Sequence, residues 1–258
     1  MHTFLNMNKE NAELGMANHS HLIKYLETQA KAVAALSPKV SKKPSGKAVH
    51  DLRVATRRVR AAFWCFRQSS EHLHFKKLNR HLRKLGKALG DVRELDVAIK
   101  DANYYEIDSS QLLAKRKVVQ RKLRKRVNQN QRKLLIGRLM KAKKNIAANV
   151  PILFNNANNN LLVRLNQTLN RRIHGRTRLH QLRIAVKKGR YAFEAMGKPI
   201  QPMKLLQDTL GEAHDMQQLQ MFVGKNPKLK AIQSSLNKKG LRLTKPTLIF
   251  AENQLRDK

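Results

Sequence analysis

The stretch VHDLRVATRRVRAAF, residues 49–63, decides how the rest of the chain is read. Leu52, Ala55, Val59, Ala62 and Phe63, continued by Phe66, fall on one side of a helix that advances ~100° per residue. His50, Arg53, Arg57 and Arg60 fall on the other, within an arc of roughly 80°. One face is built for a core. The other carries a cationic row about 15 Å long at ~1.5 Å per residue. Like charges at i,i+3 and i,i+4 cost a few tenths of a kcal/mol each, and a bridging anion would remove that cost. Arg forks take phosphate oxygens bidentately, and His donates a hydrogen bond when neutral and adds charge when protonated. A row of such groups suits a linear, densely charged polyanion better than one small phosphate. Arg58 points off the row and is a weaker candidate.

The stretch recurs. LHQLRIAVKKGRYAF, residues 179–193, lies over it at an offset of 130, His50 on His180, Arg53 on Arg183, Arg57 on Lys187 and Arg60 on Arg190. In the second copy Leu182, Ala185, Ala192, Phe193 and Met196 form the apolar face. His180, Arg183, Lys187 and Arg190 share the cationic one, with Tyr191 beside them; Lys188, like Arg58, points away. A second match follows each copy: LGDVRELD from Leu89 and LGEAHDMQ from Leu210, at an offset of 121. Two elements in the same order, twice, mean an internal duplication. Similar halves predict two helical bundles side by side, with the two marked helices near one another.

Composition agrees. The chain has 258 residues, 41% hydrophobic, with Gly 11 and Pro 7, and it is rich in helix-forming Ala, Leu, Lys, Arg and Gln. An all-α protein is expected. Lys and Arg number 54 against 17 Asp and Glu, a net +37, and no acid occurs from Ser109 to Phe193 although 23 Lys and Arg do. Such self-repulsion calls for a polyanionic partner: nucleic acid, an anionic membrane surface or a phosphate polymer. The single cysteine, Cys65, excludes an intramolecular disulfide and a multi-thiolate zinc site. No apolar run reaches the ~20 residues of a membrane span, and MHTFLNMNKENAEL has no secretory pattern, so a soluble, cytoplasmic protein is expected.

Along the chain, helices are predicted over Glu10–Leu36, Val49 to about Gln68, up to Gly90 and again beyond it. Leu112–Ala148 reads as one long helix with a stripe of Leu112, Val119, Leu123, Val127 and Leu134. After Pro151 and the NNANNN loop come Leu161–Ile173, a helix from Thr177 to Lys198, the pair Met203–Gly211 and Glu212–Val223, and a short helix Lys228–Lys238. Ser37–Gly46 reads as a loop and the tail beyond Gly240 as non-helical, because of its TKPT. The segments divide as an extension, 1–14, a duplicated domain, 15–225 (halves about 15–105 and 111–225), and a C-terminal segment, 226–258.

The two marked helices and the two LG motifs together resemble the CHAD family, the conserved histidine α-helical domain, over roughly residues 15–225. The resemblance implies two antiparallel four-helix bundles and a basic surface that binds inorganic polyphosphate without catalysis, with an association with polyphosphate granules. By position, His50, Arg53, Arg57 and Arg60 would be ligands in the first half and His180, Arg183, Lys187 and Arg190 in the second. Arg83, Lys84 and Lys87 are weaker candidates. Gly189, the MQQL that lacks a counterpart of Asp96, and the short segment past Lys225 depart from the pattern, so a degenerate last helix is expected.

Neither a metal site nor a cofactor is expected. The carboxylates of RELD (Arg93–Asp96) and HD (His214–Asp215) are read as caps or Arg partners, because metal-assisted hydrolysis needs several converging ligands. There is no phosphate-cradling Gly-rich loop. Non-specific nucleic-acid binding is the alternative reading, since the charge attracts any phosphate backbone. The row lacks Asn, Gln and stacking aromatics for base readout. A polyphosphate hydrolase or kinase ranks third.

Overall fold

The computed structural model describes residues 2–65, 73–147 and 176–256, which form eight helices and no strand. These are α1 (His2–Lys42), α2 (Gly46–Cys65), α3 (Leu73–Tyr104), α4 (Ser110–Arg126), α5 (Gln129–Ala147), α6 (Arg176–Ala195), α7 (Gln201–Val223) and α8 (Pro227–Arg256). The expectations for Phe66, the NNANNN loop and Leu161–Ile173 lie outside the described residues.

The all-α expectation holds, and the apolar faces go where the periodicity sends them. On α2, Val49, Leu52, Ala55, Val59, Ala62 and Phe63 are all buried. Each large aliphatic side chain among them contributes roughly 1.5–3 kcal/mol of burial. On α6, Leu182, Ala192 and Phe193 are buried and Ala185 half-buried, and Met196, just past its end, is buried too. α1 packs on α2, α2 on α3, α3 on α4 and α5, and α1 on α5, so that α4 and α5 together close a bundle. Residues 110–147, grouped by the repeat with the second half, thus stand in space against first-half helices. α6 packs on α7, and α7 on α8. The two groups join through α2 on α6 and α3 on α7, each helix meeting its own sequence counterpart.

Several boundaries differ from the sequence expectation. α3 runs through Gly90 and α7 through Gly211 without a break. Gly90 serves close approach instead: a Cβ there would lie 2.5 Å from Nη1 of Arg53. The long helix after residue 110 does break, at Val127, whose N–H is shared between the carbonyls of Leu123 and Arg124. The break resets the phase, so Leu135 and Leu139 are buried and Leu134 is exposed.

α1 continues through Pro38 to Lys42, leaving a three-residue connection where a ten-residue loop was expected. The C-terminal segment is one helix of 30 residues that includes Pro246. Burial outweighs the proline: Leu248, Ala251 and Leu255 enter the main core, and the Thr247 hydroxyl donates to the Leu243 carbonyl at 2.7 Å. Gly240 lets this helix close on α7, where a Cβ would lie 2.6 Å from Cδ2 of Leu210. The expectation of a non-helical tail is therefore corrected.

Candidate polyanion-binding site

The cationic rows of α2 and α6 come together where these helices pack. The charge of Arg57 is felt by Arg53 and Arg60 on its own helix and by Arg183 and Lys187 on α6. Burial, then Arg57, Arg183 and Arg53, push the Lys187 amine down to about 6, with Asp215 opposing them. Burial and Arg57 bring Arg53 down to about 10, against Glu94. Four cations from two helices thus form one seam. The side chains of Arg57 and Lys187 make no hydrogen bond or ion pair with a described residue, and the buried Nε of Arg183 has no partner among the described residues.

Neighbouring helices fix the arms of the seam. Arg53 Nη1 donates to the Gly86 carbonyl on α3 at 3.0 Å, and its Nη2 lies 4.0 Å from Glu94. Asp215 on α7 holds the equivalent place for Arg183 and is pushed up to about 6 by burial and then Asp101. Glu94 and Asp215 correspond at the offset of 121, so the repeat itself carried the signal for both. At one end of the seam His50 is exposed, its imidazole lowered by burial and by Arg93. His180 is also exposed, 5.9 Å between ring centroids from His214. Sequence reasoning did not place His214 here; burial, Arg183 and His180 hold it down to about 4.

The two copies diverge at the other end. Arg60 keeps a buried Nε with no partner among the described residues and stands beside Arg83, which lowers it after burial and Arg57. Arg190 is turned inward and only 8% exposed. Its Nε donates to Gln207 Oε1 at 2.8 Å, its Nη1 is 3.6 Å from Glu194, and its guanidinium stacks on Tyr191 at 4.1 Å. Gln207 corresponds to Gly86 at the same offset, so the second copy has a side-chain amide where the first has none. Tyr191 is buried with Arg190 and presents no free surface. Arg58 is tied to Glu194 at 2.5 Å. Arg83, Lys84, Lys87 and Lys188 are exposed, the first three on α3, where Arg83 borders Arg60.

Of the carboxylates, Asp96 accepts from Arg116 Nε at 2.6 Å and Glu94 faces Arg53, so the RELD acids pair with Arg as expected. Among the described residues no group of three or more His, Cys, Asp or Glu is placed to hold a metal ion, and no helix is long and apolar enough to cross a membrane.

Residues 24–223 match the CHAD domain family, and the chain belongs to it. Its fold is similar to that of PptA from Streptomyces chartreusis, at 15% identity and a TM-score of 0.59, over 93% of this chain and 99% of that one. It is likewise similar to the CHAD domain from the plant Ricinus communis, at 17% identity and a TM-score of 0.56, over 93% and 92% of the two chains. No curated protein matches.

Proposed function

We propose that this protein binds inorganic polyphosphate, without chemistry on it, along the seam between α2 and α6. The observation that supports this best is the meeting of Arg53 and Arg57 with Arg183 and Lys187 against only Glu94 and Asp215, with Lys187 held down to about 6. A chain of phosphates laid in the seam restores the Lys187 charge and supplies acceptors for the unpartnered N–H groups, each charge-assisted bond being about twice as strong as a neutral one. Both rows lie along helices, which suits a polymer. Their partly buried setting suits a thin, flexible chain without bases.

A competition assay tests the reading. Long-chain polyphosphate bound at physiological salt should resist displacement by duplex DNA at equal phosphate concentration. Equal displacement would favour a general phosphate-backbone binder, and phosphate release above background with Mg²⁺ would overturn the non-catalytic part.

A further inference from the structure

α4 carries charge that the seam does not use. Its buried residues are Leu112 and Leu123. At ~100° per residue, Lys117, Arg121, Arg124 and Lys125 fall within about 100° on the opposite side. All four are exposed, and none of their side chains makes a hydrogen bond or ion pair with a described residue. The row spans about 12 Å at ~1.5 Å per residue. Lys117–Arg121 and Arg121–Lys125 are i,i+4 pairs of like sign, which destabilise a helix, and α4 contains no Asp or Glu. The inner flank shows the contrast: Arg116 is fully engaged, donating to Asp96, Gln120 and the Pro44 carbonyl.

This row faces away from the seam. α4 packs mainly on α3 and also on α1, and α3 in turn packs on α2, α5 and α7. Packed helix axes lie about 8–10 Å apart, and exposed charges are screened over about 8 Å at physiological ionic strength. The two cationic rows, with α3 between them, therefore bind independently.

We infer that the outer face of α4 is a second polyphosphate-binding surface, so that one molecule holds two chains and bridges them. The inference rests on the polyphosphate reading of the seam. The seam is partly buried and has prepared hydrogen-bond geometry. The α4 row is solvated, so its chain is the weaker one and the first to leave as salt rises.

The test uses the full chain and two lengths of polyphosphate. With a chain too short to reach both surfaces, titration calorimetry at low salt should give two chains per molecule for the wild type. It should give one for the variant Lys117→Gln, Arg121→Gln, Arg124→Gln, Lys125→Gln, with the tighter affinity unchanged. Gln is a good helix former, and circular dichroism checks that the variant folds. Lys117→Arg with Lys125→Arg should keep both chains. With long polyphosphate, the wild type should scatter light near charge equivalence and the Gln variant should stay clear. One chain per molecule in the wild type, or equal scattering from both proteins, would overturn bridging. Loss of only the weaker chain to duplex DNA at equal phosphate would overturn the assignment of this face to polyphosphate. Failure of the seam reading looks different: the tighter affinity would then survive Arg57→Ala with Lys187→Ala.

Discussion

Arg58 on α2 and Glu194 on α6 are joined at 2.5 Å, Nη2 to Oε1, across the packing of the two marked helices. The same carboxylate receives Arg190 at 3.6 Å, and the Glu194 backbone carbonyl lies 3.2 Å from Nε2 of His21 on α1. The buried Tyr25 hydroxyl stands among these charges and is raised, by burial first and then by Glu194. Arg58 thus belongs to the frame that holds the rows together.

Frame and seam should separate by mutation. Arg58→Ala leaves Glu194 half-satisfied and should cost about 1–3 kcal/mol of stability, with little change in polyphosphate affinity once folded. Arg57→Ala should do the reverse: weaker binding, a shallower salt dependence, and stability unchanged or raised because repulsion is relieved. Urea unfolding beside salt-titrated binding checks both.

Affinity should rise as pH falls from 8 to 5 at constant salt. Over that range Lys187, at about 6, gains its charge and Asp215, also at about 6, loses its own. The groups facing Lys187 are Arg53 and Arg57 on α2, Arg183 on α6, and Asp215 and His214 on α7; the arginines stay charged throughout and His214, held down to about 4, stays neutral. Lys187→Met should flatten the profile. The free protein should show the opposite trend in stability. The folded-state pKa of Lys187 lies below its unfolded value of 10.5, so the unfolded chain binds more protons between about pH 6 and 10, and Tm rises with pH across that window. Thermal melts with and without polyphosphate check the sign.

The paired glycines should behave differently. Gly90→Ala gains up to about 1 kcal/mol of helix propensity, but its Cβ would displace the Arg53 guanidinium from Gly86. Near-normal stability with weaker polyphosphate binding is expected. At Gly211 nothing lies within 4 Å of the new Cβ, so Gly211→Ala should stabilise by up to about 1 kcal/mol and leave binding alone. Melting curves and affinities of the two single variants decide this.

The last helix should matter for folding. Leu248 is 3% exposed, in the same core as Phe193 and Met203. Leu248→Ala should cost about 2–5 kcal/mol, readable as a shifted urea midpoint. A disordered tail would have tolerated it.

Periodicity made the duplicated helices legible, because burial and charge alternate there without conflict. It also gave the inward sides of α2 and α6 residue by residue. What escaped it was set by tertiary contact. Gly90 reads as a breaker until Arg53 is seen beside it. Pro246 reads as an end until Leu248, Ala251 and Leu255 are seen buried beyond it. The break at Val127 leaves no strong mark in composition, yet it exchanges Leu134 for Leu135 in the core. Arg190 looks like Arg60 in the alignment of the two copies, and only Gln207, in place of Gly86, shows why it turns inward.

The meeting of α2 with α6 and of α3 with α7 has a consequence for the ligand's own symmetry. A strand of nucleic acid has a direction, and reversing it presents different groups. A chain of orthophosphate units reads the same from either end. The seam has two different ends, His50 and His180 at one and Arg60 and Arg190 at the other, but a chain of identical phosphate units meets them alike in either direction. On the polyphosphate reading, either threading is then productive, and a bound chain can be extended or shortened from both sides without changing what the protein holds.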